Sequence, residues 1–465
     1  MAPRVLSAIM FYPRGGSSLA ARALARGLRD LGCSVTLVAG SRSDLGRHSD
    51  AVAFYGSMDL RAVNFDAALR GHDPIRYEGP PGSAPMHPSY EHRSGAPDRV
   101  FAALDDLAYE RQVRAWSREL ARAGAAEADV IHLHHLTPLN EAAARVAPEV
   151  PVVGQLHGTE LLMLERIIEG APPTWTYAER WAQRMREWAS RCAGLVVSPA
   201  GLVRAATLLE LPPERLHPLP GGFDTELFTP RTIDRRRFWA QALASDPSAE
   251  DPEGRPGKIR YSDAEVATLA RSVVLVYVGR FTAVKRLDHL IGAFAEASQG
   301  SDREASLVLV GGYPGEWEAE HPAKIAARCG AQGMFLAGWH AHEELPDFFS
   351  ASDTIVAASL REQFGQALVE GMACGLPVVA PRSLGPALIV DSGRTGWLVD
   401  PCDPAALAAA MREAIEDQDE RLRRGRAARL AVCRRFSWLR ISAELASVLE
   451  EVLAGAPAAS AVRHA

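Results

Sequence analysis

The segment Ser359–Pro381, SLREQFGQALVEGMACGLPVVAP, carries the glutamates Glu362 and Glu370 at an E-x7-E spacing, with Phe364-Gly365-Gln366 between them. An apolar run ends at Ser359 and a second, LPVVAP, closes the segment, so it reads as strand, loop, helix and strand. A helix starting near Phe364 leaves Glu362 in the loop before it and puts Glu370 about two turns in. The eight residues from one carboxylate to the other span roughly 12 Å as helix, comparable to the reach from hexose to ribose in a nucleotide sugar. Free N–H groups at the helix start and the positive end of its dipole then suit a diphosphate held between the carboxylates. Glu362 becomes a candidate acceptor for sugar hydroxyls and Glu370 for ribose hydroxyls.

On either side of this segment the same alternation continues. The runs SVVLVYVGR, SLVLVGG, MFLAGW and TIVAAS precede it, separated by helical patterns such as KRLDHLIGAFAEA. Nearer the N-terminus come RVLSAIMFY, CSVTLVAG, DVIHLHH, PVVGQLH and GLVVS, with LAARALARGLRDLG between the first two, apolar at helical spacing and closed by Gly32. Short β-rich runs alternating with amphipathic helices predict an α/β protein with parallel sheets. At 465 residues the chain accommodates two such units, with expected boundaries at residues 1–222 and 223–435 and a closing helix and frayed tail over 436–465. Residues about 229–270, rich in Pro, Asp, Glu and Arg, read as an elaborated junction between the halves.

Composition narrows the function classes. A net charge of -6 gives no general attraction to nucleic acid or to an anionic membrane. Cys33, Cys192, Cys329, Cys374, Cys402 and Cys433 form no C-x-x-C pair, which leaves reduced core or surface thiols. Val5–Tyr12 is too short for a signal peptide and reads as the first strand. No stretch approaches the ~18 apolar residues of a membrane span, so a soluble cytoplasmic protein is expected. Positive charge is nearly all arginine; Lys258, Lys285 and Lys324 are the lysines. That bias fits a GC-rich bacterial genome and draws attention to each lysine retained.

Further constellations carry chemistry. Gly279-Arg280 ends an apolar run, and Lys285 opens the next helical pattern, so two cations can meet one diphosphate. His157, in PVVGQLHGTE, falls at a strand's C-terminal end, where open α/β sheets bind ligands, and can hydrogen-bond a hexose or the charge near its anomeric carbon. His132 and His134, at the end of DVIHLHH, are candidates for a supporting or a structural role. Gly15-Gly16 allows backbone to approach a phosphate or acceptor, but is not the G-x-G-x-x-G of nicotinamide and flavin enzymes. The one D-x-D, Asp417-Gln418-Asp419, sits in a charge run and reads as solvated surface, so no metal and no cofactor are expected. Residues about 54–99 hold six prolines among Tyr77, His87, Tyr90, His92 and Arg93; such a loop serves acceptor recognition or plain surface elaboration.

In order and spacing, Gly15-Gly16, HGTE from His157, VGRFTAVKRLDHLI from Val278, the E-x7-E block and TGWLVDP from Thr395 resemble the retaining GT-B glycosyltransferases, in particular glycosyltransferase family 4. The resemblance implies two Rossmann-like domains facing across a cleft, the first for the acceptor and the second for the nucleotide-sugar donor, with the last helix crossing back to the first. It implies catalytic roles for His157, Arg280, Lys285 and Glu362, with Arg280 and Lys285 stabilising the departing diphosphate. Donor contacts fall on Gly15, Gly16, Gly279, Gly338, Trp339, His340, Phe364, Gly365, Gln366 and Glu370, and acceptor contacts are assigned to Tyr90, Arg93, His132 and His134. The chain departs from the family pattern at Gly221-Gly222-Phe223-Asp224 and at Leu388-Ile389-Val390.

The expected reaction moves a hexosyl group, with retention, from a UDP- or GDP-linked sugar to a hydroxyl of a small-molecule or sugar acceptor, as in bacterial specialised metabolism. A paired-carboxylate hydrolase needs its carboxyls about 5–10 Å apart across one bond, closer than this spacing gives. A phosphorylase of similar architecture needs a pyridoxal phosphate lysine, and an epimerase needs no acceptor loop. Two alternatives stay open: a non-catalytic nucleotide-sugar binding protein, and a lipid-acceptor enzyme docked through TYAERWAQRMREWASRC, whose Trp181 and Trp188 stand among arginines.

Overall fold

The computed structural model describes residues 2–91, 97–312, 320–401 and 403–455. They form two compact units: Gly222–Ser437 is one, and the other joins Pro97–Gly221 with the chain before it and the segment from Trp438 onward.

Unit 1 contains seven parallel strands, β1 (Arg4–Ile9), β2 (Ser34–Ser41), β3 (Asp59–Asn64), β4 (Val130–His134), β5 (Val152–Gln155), β6 (Gly194–Val197) and β7 (Leu216–Pro218), in the order β3-β2-β1-β4-β5-β6-β7. The order reverses between β1 and β4, where Ile9 lies beside His134. Doubly wound sheets bind ligands at the carboxyl ends of strands at such a reversal. Both faces are covered: Trp116, Trp181, Phe101 and Leu133 belong to one cluster, and Ile9, Leu24, Leu28 and Leu37 to the other.

The first crossover helix, Gly16–Asp30, buries Ala21, Leu24, Ala25 and Leu28 at helical spacing and closes at Gly32, whose φ of 96° only glycine adopts readily. The helix Trp438–Gly455 lies on it, burying Ile441, Ser442, Leu445 and Leu449. The approach is close: a Cβ added to Gly27 would stand 2.0 Å from Ser442 Oγ and 2.4 Å from its Cβ. Gly27→Ala is therefore expected to lower stability by about 1–3 kcal/mol through overpacking, and Ser442→Gly in the same chain to restore most of it. Urea unfolding of both variants tests this; a single variant as stable as the parent would show that the helices part freely.

Several expectations need correction here. The segment about 54–99, read as a loop, contains β3, and its Ser83–Tyr90 stretch is buried, with Met86 and Tyr90 in the core. Trp181 and Trp188 are 0% and 2% exposed, the former stacked on Phe101 at 4.7 Å. They fill the unit 1 core rather than presenting a membrane-facing stripe. Among the described residues no helix is long and apolar enough to cross a membrane.

Unit 2 repeats the design with β8 (Val273–Gly279), β9 (Ala305–Gly311), β10 (Met334–Gly338), β11 (Thr354–Val356), β12 (Val378–Pro381) and β13 (Gly396–Val399), in the order β10-β9-β8-β11-β12-β13. Its reversal lies between β8 and β11. Val274, Val276, Phe348 and Trp239 fill one face; Leu275, Tyr277, Phe294 and Leu309 fill the other. The stretch expected to be a junction packs into this unit instead: Trp239 and Leu243 from Arg235–Ser245, and Val266 and Leu269 from the helix Asp263–Arg271, are buried in its core.

Candidate functional site

In unit 2 the chemistry gathers at the carboxyl ends of β8 and β11. Gly279 and Gly311 pair across β8 and β9, and a Cβ on Gly311 would stand 1.9 Å from the Gly279 carbonyl oxygen, so only glycine fits. The Tyr277 hydroxyl donates to the Arg280 carbonyl at 2.8 Å and ties down the backbone just beyond the strand. Burial, with Glu362 nearby, raises the Tyr277 phenol well above its ordinary pKa, so it stays a donor. The Arg280 side chain is exposed.

Lys285 ends a short 3-10 turn, Ala283–Lys285, ahead of the helix Leu287–Gln299; Arg286 between them has φ 51°. The Lys285 ammonium donates to Glu362 Oε2, with about a quarter of each side chain exposed, at 22% and 23%. Glu362 sits in the loop after β11, and its carbonyl accepts from Gly385 N–H at 2.8 Å. A Cβ on Gly385 would meet the Phe364 carbonyl at 2.1 Å, so the loop is pressed against Gly385.

Gly365, at φ 98°, caps the helix Gln366–Ala373, which has no side-chain cap and no acidic residue in its first turn. The helix begins two residues later than the spacing suggested, so Glu370 lies little more than one turn in. Glu370 is 2% exposed. Its Oε1 accepts from His342 Nε2 at 2.7 Å and from Gln366 Nε2 at 2.8 Å, and Gln366 also donates to the Gly222 carbonyl at 2.7 Å. The partner His342 was missed by sequence reading; the only local signal was its position four residues after Gly338.

At the end of β10, Gly338 has φ 80°, and a Cβ there would lie 2.4 Å from the Ser248 carbonyl carbon. Ser248 Oγ donates to the Ala337 carbonyl at 2.9 Å and lies 3.2 Å from His340 Nε2. His340, packed 4.4 Å from the Phe348 ring, thereby has that nitrogen turned toward backbone. Trp339 and His340 are half-buried.

In unit 1 the strand ends collect imidazoles. His157 is half-buried, and its Nε2 lies 3.0 Å from Nδ1 of the fully buried His134. Burial holds both rings well below the usual histidine pKa, so both are neutral near pH 7. His132, 2.9 Å from Gln155 Oε1, is pushed down to about 4 by burial. Of the two uncertain histidines, His134 touches His157 and His132 is bound to Gln155. His135 and Glu160, 2.6 Å apart and both buried, complete the cluster. Tyr90 is 5% exposed and donates its hydroxyl to the Leu136 carbonyl at 2.7 Å, so it is a core residue rather than an open acceptor contact. Arg93 lies outside the described residues. Gly15, at φ 71°, and Gly16 start the Gly16–Asp30 helix, and added Cβ atoms would meet nothing within 4 Å.

Among the described residues no group of three or more His, Cys, Asp or Glu side chains is placed to hold a metal ion. Asp417 of the D-x-D accepts from Glu420 N–H at 2.9 Å and caps a helix.

Comparison with known proteins agrees along the chain. Residues 14–227 match the model of "Glycosyltransferase Family 4" and residues 263–431 that of "Glycosyl transferases group 1". A D-inositol 3-phosphate glycosyltransferase of Thermobispora bispora is 30% identical over 339 residues, covering 70% of this chain and 71% of the relative. Among solved structures, sucrose-phosphate synthase from Thermosynechococcus elongatus superposes with a TM-score of 0.67 at 19% identity over 97% of this chain and 99% of that one. Anabaena HepE in complex with UDP and glucose gives 0.67 at 17% identity over 96% and 99%. At such identities the structural likeness speaks for the fold. The sequence matches, spanning both units, speak for descent, and on them the chain belongs to glycosyltransferase family 4, a glycosyltransferase of the GT-B fold.

Proposed function

We propose that the protein transfers a hexosyl group, with retention, from a nucleoside diphosphate sugar, UDP- or GDP-linked, to a hydroxyl of a small polar acceptor. The observation that carries this reading is the Lys285–Glu362 pair at the β8–β11 reversal, followed along the chain by the helix Gln366–Ala373, which holds the Glu370–His342–Gln366 group. A cation and a carboxylate at one end and a buried carboxylate at the other suit the diphosphate, hexose and ribose of one donor.

In this reading Arg280, Lys285 and the N–H groups after Gly365 take up negative charge as the bond from anomeric carbon to diphosphate oxygen breaks. The acceptor oxygen forms the new bond on the face the diphosphate leaves, and its proton passes to a diphosphate oxygen. Glu362 orients the hexose hydroxyls, Glu370 the ribose, and the backbone around Gly338 and Trp339 meets the base. His157 keeps the catalytic role that the resemblance to the family implies for it. With two protein cations on the diphosphate, no metal ion and no cofactor is required. The inositol phosphate acceptors named for the relatives make a soluble polyol phosphate the first acceptor class to try. The free thiols of Cys33, Cys192, Cys329, Cys374 and Cys433 suit a reducing compartment such as the cytoplasm.

Thermal-shift titration with UDP, GDP, ADP and dTDP tests the donor class. One diphosphate is expected to raise the melting temperature, and its sugar conjugate to turn over with D-inositol 3-phosphate or a related polyol in the presence of EDTA. No shift with any of the four on folded protein would defeat the proposal, and loss of turnover on chelation would defeat its metal-free form.

A further inference from the structure

Two residues of unit 1 that the reading above leaves without a role are held in costly states. His135, just after β4, has φ 69°, in the left-handed region that a non-glycine residue occupies at a cost of about 1–3 kcal/mol. Its N–H donates to the Gln155 carbonyl at 2.8 Å, and its carbonyl accepts from Asn140 Nδ2 at 3.2 Å. Glu160 is 0% exposed, and burying an ionised carboxylate costs several kcal/mol unless it is fully partnered. Its partners are specific. Oε1 lies 2.6 Å from His135 Nδ1, the backbone N–H of His157 donates to Oε2 at 3.2 Å and to Oε1 at 3.4 Å, and Thr159 Oγ1 reaches Oε2 at 3.5 Å.

One carboxylate thus joins the loop after β4 to the turn after β5, where Gly158, at φ 94°, starts the helix Thr159–Gly170. The His135 ring stands 4.4 Å from the His157 ring on one side and 4.8 Å from Phe11 on another. His134 Nδ1 lies 3.0 Å from His157 Nε2.

Building on the role assigned to His157 above, we propose that Glu160, acting with His135, is the positioning residue of His157. It pins the His157 backbone N–H and sets the His135 ring beside it, so that His157 keeps Nε2 on His134 and offers Nδ1 to the substrate. Both Glu160 oxygens accept from the His157 N–H, so in its contact with Oε1 the His135 Nδ1 is the donor. Removing it releases the turn and the strained His135 together, and a displacement of about 1 Å at a reacting group costs on the order of 100-fold in rate.

The experiment uses the full chain. Glu160→Leu and His135→Phe remove the bond; Glu160→Gln keeps an acceptor oxygen; His135→Asn keeps an N–H donor and tolerates positive φ. Three readouts are taken: the melting-temperature shift with UDP, steady-state UDP release from UDP-glucose with D-inositol 3-phosphate, and imidazole nitrogen NMR of His157. Glu160→Leu and His135→Phe are expected to lower kcat by about 100-fold, leaving donor KM and the UDP shift unchanged and moving the His157 ring signals. His135→Asn and Glu160→Gln are expected to recover at least about a tenth of the parent rate and the parent ring signals. If Glu160→Leu does not fold, the paired histidine variants decide. Parent-level kcat in both bond-removing variants, equal loss in His135→Phe and His135→Asn, or unmoved His157 signals in Glu160→Leu would overturn the proposal. A parent protein that shows no UDP shift and no UDP release would move the rate and shift assays to GDP and its sugar conjugate; failure with both nucleotides would count against the donor reading, and the NMR comparison alone would then decide the positioning role.

Discussion

Replacing Lys285 by alanine is expected to lower kcat by about 100- to 1,000-fold, the usual cost of losing one preorganised charge on a leaving group, while the protein keeps its melting temperature. The stability half follows from exposure. The Lys285–Glu362 pair is about a quarter exposed on each side, and a pair so open to solvent contributes under ~1 kcal/mol. The rate half follows from what donor binding does to the pair. In the proposed reading a diphosphate would compete with Glu362 for the ammonium, leaving the carboxylate to accept from hexose hydroxyls. Glu362→Ala is therefore expected to show a rate loss of similar size, with a weaker effect on UDP affinity than Lys285→Ala. Lys285→Arg should recover little, since the planar guanidinium cannot replace a compact ammonium on a short turn. Initial rates of nucleotide release, set beside melting curves, measure both halves; near-parental turnover in either alanine variant would put the site elsewhere.

Acid is expected to loosen unit 1. His87 and His132 are each 1% exposed, and burial pushes both down to about 4 from the ordinary 6.5. Because the folded-state values are depressed, the unfolded chain takes up protons first as pH falls. The stability held by the neutral rings is complete above pH 6.5 and is lost between 6.5 and about 4. Each ring should forfeit about 2 kcal/mol between pH 7 and pH 5, and the depressed values of His134 and His157 act in the same direction. His87 sits among the rings of Phe11, Tyr12 and Phe65, so phenylalanine fits its surroundings. His87→Phe is expected to flatten the pH dependence by about 2 kcal/mol over that interval. Denaturant unfolding at pH 7 and pH 5 checks it, and identical slopes in parent and variant would remove His87 as a cause.

The central strands of both sheets were legible as apolar runs because each is buried on two faces. The strands that escaped are edges: β3, in which Val63 alone is buried, the three-residue β7, and β13, read as a motif rather than a strand. An edge strand has half the packing and carries half the pattern. The site shows the same division. Glu362 and Glu370 could be read together because they are eight residues apart, and Lys285 because it follows Gly279-Arg280 closely, whereas the Lys285–Glu362 contact joins residues 77 apart. His342 and the pair His135–Glu160 owe their significance to partners 28 and 25 residues away, and no window of sequence shows that. Tyr90, Trp181 and Trp188 misled in the opposite sense, since aromatic side chains beside polar neighbours describe a binding face and a buried wall equally well.

The helix Trp438–Gly455 gives the chain an order of events. Ile441, Leu445 and Leu449 close a cluster whose other members, Val5, Leu24, Leu28 and Val130 among them, leave the ribosome hundreds of residues earlier. Among the described residues unit 2 is contiguous and can finish folding as it emerges, whereas the first unit to be synthesised is the last to be completed. During that interval the part of the Gly16–Asp30 helix that Trp438–Gly455 covers is bare, a natural point for a holding chaperone to act and for a prematurely terminated chain to aggregate.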